Sequence, residues 1–212
     1  MAGSRTRSVM LIAHAIESGM LGKSEVRALD GLSASGLRAR RWLNELPAES
    51  ASRLIATVGD MAQTALDWAM ATEADFPAQQ GELHPLLGDL LTSVLSQGWH
   101  WIDIDPFGSP VPFLDTAIQA LARRGVLEVS ATDTAALSGS SKNPLMRRYG
   151  ARVRLDKLKH DSGLRVLMAT VARAAARHDR SVEPLLSIWD SHHLRVSAVS
   201  YTHLTLPTKR EE

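Results

Sequence analysis

Short apolar runs alternate along this chain with segments whose apolar positions recur three and four residues apart. Val26 to Leu32 reads as a buried strand, and Leu37 to Glu45 as a helix that Pro47 stops. Leu54 to Val58 is a second strand. A helix from about Met61 to Thr72 follows, with Ala65, Leu66, Ala69 and Met70 on one stripe. After a Pro/Gln/Gly loop from Phe76 to Gly81, the pattern predicts a short strand near Leu83 and a helix over Leu86 to Ser96. His100 to Ile104 is a strand and Val111 to Arg124 a helix, ended by Gly125. Val126 to Ala131 is a further strand, and Leu164 to His178 a long Ala/Arg-rich helix with its arginines outward. Val182 to Ile188 and His193 to Ala198 form an antiparallel pair. Strands alternating with helices imply an α/β fold: a mostly parallel sheet, helices on both faces, right-handed crossovers and a closing antiparallel strand.

Composition narrows the class. A chain of 212 residues holds one α/β domain with a sizeable core. Without cysteine there is neither a disulfide framework nor a cysteine-based zinc site. No apolar run approaches the roughly 20 residues that span a bilayer, and no export signal follows Met1, so the expected location is cytoplasmic. A net charge of +1 does not advertise a polyanion partner, although Arg38-Ala39-Arg40-Arg41 and Arg147-Arg148 supply local basic clusters.

The chemistry concentrates where strands end. An apolar strand runs to Asp105 and breaks at Pro106, leaving a carboxylate, a backbone carbonyl and the Phe107 ring together, at the sheet edge where open α/β folds place their sites. Asp105 and the Pro106 carbonyl can accept from an exocyclic amine while Phe107 stacks on the base that carries it. The trio suits methyl transfer to a nucleobase amino group, whereas Asp-Pro and Phe-Gly alone are also common turn dipeptides. At the first strand-to-helix turn, Asp30 precedes Gly31-Leu32-Ser33-Ala34-Ser35-Gly36-Leu37-Arg38. A dinucleotide site wants Gly-x-Gly-x-x-Gly around a pyrophosphate. An acid here repels phosphate but meets the ammonium of S-adenosylmethionine. Asp60, ending the second strand, suits ribose hydroxyls, and Asp89 suits an adenine amine. A lone acid in such a place caps a helix more often than it binds a ligand. Three at successive strand ends favour the cofactor.

Taken in order, these motifs resemble the tRNA guanine-26 N2-dimethyltransferase family. Its acidic strand end with Ala-Ser/Thr-Gly-Leu-Arg is matched by Asp30 and Ala34 to Arg38, its Asp-Pro-Phe-Gly-Ser-Pro by Asp105 to Pro110, and its Thr-Ala-Thr-Asp-Thr-Ala by Ser130 to Ala135. Arg148-Tyr149-Gly150-Ala151, Gly163-Leu164-Arg165, Pro184 to Ser187 and Arg195-Val196 extend the likeness from about Ser4 to Ala198. The resemblance implies a Rossmann-like class I methyltransferase domain that uses S-adenosylmethionine on the 2-amino group of a tRNA guanine. By position it assigns Arg5, Arg38, Asp60, Asp89 and Leu90 to the cofactor, with Asp30, Ser35 and Gly36 in the first motif. It makes Asp105 the acid proposed to accept the amine proton and Phe107 the ring that stacks on the base, and with the Pro106 carbonyl these are the expected catalytic residues. Ser4-Arg5-Thr6-Arg7-Ser8-Val9 replaces the family's Asn-Arg-Asp-Leu-Ser-Val, which loses an acid beside Arg5. The family's upstream segment and its C-terminal tRNA-gripping domain, which often carries zinc, have no counterpart, so a truncated fragment is expected.

Asp133 either lines the target pocket or holds a turn in its Asp/Thr cluster. His192 and His193 alternate across a strand and rarely share one ion, so no metal is expected. Lys159-His160-Asp161 reads as a solvated loop. Two other functions remain: a methyltransferase of this fold acting on another RNA position or amine, and a non-catalytic RNA-binding fragment. Residues 199–212, from Val199-Ser200-Tyr201-Thr202, resemble a translated sequencing adapter, so residues 1–198 are the expected domain and the rest a non-native tail.

Overall fold

The computed structural model describes residues 2–202. A helix α1 (Ala2–Glu17) leads into β1 (Val26–Asp30), α2 (Leu37–Glu45), a one-turn α3 (Ala48–Ala51), β2 (Leu54–Asp60) and α4 (Gln63–Asp75). Next come β3 (Glu82–Leu87), a short α5 (Leu90–Ser93) continued as a 3-10 turn, β4 (Trp99–Ile104), α6 (Val111–Ala120) and β5 (Leu121–Ala131). The chain continues with α7 (Thr134–Leu137), α8 (Lys142–Tyr149), α9 (Lys159–Ala176), β6 (Arg180–Asp190) and β7 (His193–Thr202). The seven strands lie in the order β3-β2-β1-β4-β5-β7-β6, with β7 antiparallel to both its neighbours and the other pairings parallel. This is the α/β architecture expected, with the order reversing between β1 and β4.

Alternation along the strands divides the core into two layers. Leu29, Ile102 and Leu127 pack with Leu114 and Ile118 of α6 and Leu167 and Val171 of α9. Their neighbours Ala28, Trp101 and Val126 pack with Ile12 of α1, Trp42 of α2 and Leu66 of α4. The second layer departs from an ordinary apolar core. On that face the strand positions nearest the C-terminal ends of β1, β4 and β5 are Asp30, Asp103, Glu128 and Ser130, all buried.

Several elements differ from the sequence pattern for identifiable reasons. The pattern assigns nothing before Val26, yet α1 buries Ser8, Val9, Ile12, Ala15 and Ile16 on one face; its polar first half conceals the stripe. The helix expected over Leu86 to Ser96 starts only at Leu90, because β3 runs through Leu87 and Gly88 then turns at φ 147°. The helix expected to reach Arg124 ends at Ala120, and Gly125 lies inside β5 opposite Ser200. A Cβ at Gly125 would stand 3.2 Å from the carbonyl oxygens of Trp99 and His100. This glycine lets β5 approach β4 where the register between them shifts, and it is not a helix stop. At the other end, β7 passes the expected boundary at Ala198: Val199 and Ser200 are buried, opposite Val126 and Gly125. Residues 203–212 of the expected tail lie outside the described residues.

Candidate active site

A cavity of about 500 Å³ opens at the C-terminal edge of the sheet where the strand order reverses. Its walls bring together Arg5, Asp30, Ser35, Arg38, Asp60, Asp105, Pro106 and Phe107, eight positions drawn from four separate stretches of sequence. Leu32, Phe113 and Thr132 add apolar and hydroxyl surface. The first turn is small for packing reasons as well. Gly36 precedes α2 at φ 66°, and a Cβ there would lie 2.8 Å from the Ala69 methyl of α4. The turn is fastened to the neighbouring strand by Asp60, which accepts from the backbone N–H groups of Ala34 (3.0 Å) and Ala62 (2.9 Å).

Arg38 organises the floor. Its buried guanidinium donates to Asp103 at 2.8 Å and to Asp105, and its Nε lies 3.7 Å from Asp30. Three strand-end carboxylates are thus held around one cation. His193, at the start of β7, completes Asp105 with a hydrogen bond of 3.2 Å to the other carboxylate oxygen. Burial pushes the Asp105 carboxyl up, but the His193 hydrogen bond and the Arg38 charge outweigh it and hold the group below the usual carboxylate range. Asp30 moves the other way. Burial raises it to about 6 against the pull of Arg38, with the neighbouring Asp105 charge adding to the rise.

Beneath this floor lies a second polar layer. Arg195 of β7 donates to Asp103, to both oxygens of Glu128 (3.2 and 2.5 Å) and to the Ser130 hydroxyl (2.7 Å). Ser8 of α1 donates to Glu128 at 2.5 Å and accepts from the Trp42 indole at 3.2 Å, while Ser197 also donates to Glu128. Burial raises the Asp103 carboxyl to about 8 against the pull of Arg195 and Arg38, whereas at Glu128 burial is outweighed by the Arg195 charge and hydrogen bonds, which hold it below the usual range.

Phe107 stands at the mouth and is 95% exposed. The loop that carries it is pinned to the end of β5, since the Gly108 N–H donates to Thr132 Oγ1 (2.6 Å) and its carbonyl accepts from the Thr132 N–H (2.9 Å). A rigid support therefore holds an unburied aromatic ring in water.

Four expected positions fall outside the cavity wall. Gly36 lies behind it. Asp89 caps α5 by accepting from the Leu91 N–H at 2.9 Å, and Leu90 is buried with its methyl groups against Gly31. Asp133 faces α8: one oxygen accepts from Tyr149 Oη (2.7 Å) and the other from Arg148 (3.1 Å), while Tyr149 Oη also accepts from Ser109. Sequence reasoning missed Ser8, Asp103, Glu128 and His193 as parts of the site, and placed Arg195 only as a matching residue. Charged residues inside apolar strands were the available signal. Among the described residues, no three His, Cys, Asp or Glu side chains are placed to hold a metal ion, and no helix is long and apolar enough to cross a membrane.

Comparison with known proteins decides the family. Residues 1–205 match the family described as N2,N2-dimethylguanosine tRNA methyltransferase. The chain belongs to that family. A tRNA (guanine(26)-N(2))-dimethyltransferase of Thermococcus kodakarensis is 38% identical over 179 residues, covering 80% of this chain and 48% of the relative. The Pyrobaculum islandicum enzyme of the same description is 34% identical over 94% of this chain and 53% of its own length. Among solved structures, Trm1 from Pyrococcus horikoshii in complex with S-adenosyl-L-methionine superposes with a TM-score of 0.78 at 28% identity, covering 93% of this chain and 54% of that one. Magnesium protoporphyrin IX methyltransferase from Synechocystis (TM-score 0.59, 14% identity) shares the fold alone. The chain spans about half the length of the curated relatives it matches.

Proposed function

We propose that this chain is the catalytic part of a tRNA guanine N2-methyltransferase, transferring one or two methyl groups from S-adenosylmethionine to the exocyclic nitrogen of a guanine of the position-26 type. The observation that carries this reading is the Asp105-Pro106-Phe107 corner, with an exposed ring beside a carboxylate at the rim of an acid-lined cavity. Residues 1–198 form the proposed catalytic unit, acting in the cytoplasm on tRNA with no metal. The tail assignment for residues 199–212 remains part of this proposal, although β7 incorporates the first four of them.

The cavity fits the cofactor by charge. Asp30, Asp60 and Asp105 line it against Arg5 and Arg38, a setting hostile to a pyrophosphate and suited to a ligand that carries an ammonium and a sulfonium. Asp30 would hold the ammonium and Asp60 the ribose hydroxyls, with Arg5 and Ser35 on the carboxylate side; Asp89 and Leu90 are proposed beyond the wall on the adenine side. When bound, the cofactor supplies an activated methyl group. The chain's own residues do the rest. A flipped guanine stacks on Phe107, and its amine donates to Asp105 and to the Pro106 carbonyl. Those bonds oppose delocalisation of the nitrogen lone pair into the ring and aim it at the methyl. Because His193 and Arg38 hold Asp105 ionised, it places a negative charge next to the nitrogen as that nitrogen becomes positive, and it accepts the proton that the methylated amine releases. Positioning contributes the larger share of the rate.

Calorimetric titration of S-adenosylmethionine into the chain, beside its Asp30→Ala variant, tests the reading. Micromolar binding that the variant loses while its circular dichroism is unchanged is the expected result. A folded chain that ignores the cofactor overturns it.

A further inference from the structure

The chain's positive charge is concentrated in one place. Residues 142–159 carry seven of its 24 lysines and arginines and a single acid, in a protein whose net charge is only +1. That acid, Asp156, is used locally, its carboxylate accepting from the Leu158 N–H at 2.9 Å. Elsewhere Arg7, Arg40, Arg41, Arg165 and Arg177 each meet a carboxylate, whereas Arg27, Arg53, Arg123 and Arg124, unpaired among the described residues, are scattered over separate strands and loops. In this segment only Arg148 meets a carboxylate among the described residues, and its partner is Asp133.

The segment also has a shape. Between α8 and residues 151–154 runs a groove of about 470 Å³, walled by Lys142, Arg152 and Arg154 and floored by Leu145, Met146 and Val153. Both arginines and Lys142 are exposed. Met146, Leu155 and Leu158 add exposed apolar surface (42%, 62% and 65%) between the charges. Cations crowded without counter-charge repel one another, and a row of anions at the groove relieves that repulsion. Apolar surface among them suits sugar edges rather than a fully hydrated ion. Helix α8 is also wired to the candidate active site: Arg148 and Tyr149 hold Asp133, next to Thr132 of the cavity wall, and Tyr149 Oη accepts from Ser109 in the Phe107 loop.

We propose that the groove between α8 and residues 151–154 is a binding site for the sugar–phosphate backbone of the substrate RNA, gripping the strand that flanks the flipped base. It rests on the tRNA reading above and adds a docking surface within this part of the chain. Backbone contacts of this kind set register and affinity without reading sequence.

The test is fluorescence anisotropy of an unmodified tRNA transcript with the full chain across a salt series, beside R152Q/R154Q and K142Q. Each lost phosphate contact should flatten the log–log salt slope by about one. The double variant should bind at least tenfold more weakly at low salt while its cofactor affinity is unchanged. Backbone hydrogen exchange of residues 142–158 should slow on tRNA addition, a reading that needs no variant. An unchanged slope and affinity, or absent protection, overturns the groove, as does equal competition by polyglutamate, which points to an acidic protein instead. Methyl transfer with the tRNA KM unaffected by the substitutions refutes the groove and leaves the proposed reaction standing. Salt-sensitive groove binding without any methyl transfer does the reverse.

Discussion

Asp103 and Asp105 stand two residues apart near the end of one strand, face the same side of the sheet and share Arg38, yet their carboxyls are shifted in opposite directions. Asp103 is wholly buried in a packed polar layer with Arg195 and Glu128, where burial raises it to about 8. Asp105 lies at the cavity wall, takes a second hydrogen bond from His193 and stays ionised. The difference teaches that residue type and a shared cation do not fix the direction in which a carboxyl is shifted. Two residues of strand separate a charge at the edge of water from one that complete burial disfavours. The lower layer is support and the upper one is chemistry.

The largest expected effect is on the support. Arg195→Leu leaves Asp103 and Glu128 facing each other without their guanidinium, and stability should fall by about 3–5 kcal/mol in urea unfolding. Adding Glu128→Leu should recover part of that loss; no recovery would mean that Arg195 matters through packing alone. At the upper layer, Asp105→Ala should lower turnover by about a hundredfold to a thousandfold with cofactor affinity nearly unchanged by calorimetry. Joint loss of turnover and cofactor binding would move Asp105 into the support. Phe107→Ala should weaken the RNA by about 1–3 kcal/mol, the worth of one stacked base, and leave the melting temperature alone because the ring is 95% exposed. A drop in melting temperature would show that the ring packs somewhere in solution. The smallest effect concerns pH. Asp30 is raised to about 6, so its carboxylate is present above that pH and protonated below it. Cofactor affinity should fall by about tenfold per pH unit below 6. Asp30→Asn should remove this dependence, and a dependence that persists assigns it to another group.

The upper layer was largely legible in the sequence because turn chemistry marks strand ends. Asp30, Asp60 and Asp105 each close an apolar run, and the Pro-Phe-Gly after Asp105 announces a break. The lower layer was not. Nothing near Asp103 or Glu128 reveals that their partner is Arg195, bonded to them across 92 and 67 residues of sequence. Helix α1 escaped because Arg5, Thr6, Arg7 and Ser8 interrupt its apolar stripe, and Ser8 is polar because it serves Glu128. Gly125 misled for a different reason: a glycine after a helical pattern reads as a terminator, whereas here it answers a close approach between two strands. Asp89 closes a strand as the other acids do, but its side chain turns to its own helix.

The lower layer also ties together distant parts of the chain. Its members come from α1, α2, β4, β5 and β7, and Ser8 alone reaches Glu128 across 120 residues. Contacts so distant in sequence form slowly, because the loops between them must close first. Without β7, Asp103 and Glu128 lack Arg195, and Arg38 has only acids to settle among. The groups that face the cavity are therefore held by contacts that span the described chain, and the active edge depends on both α1 and β7.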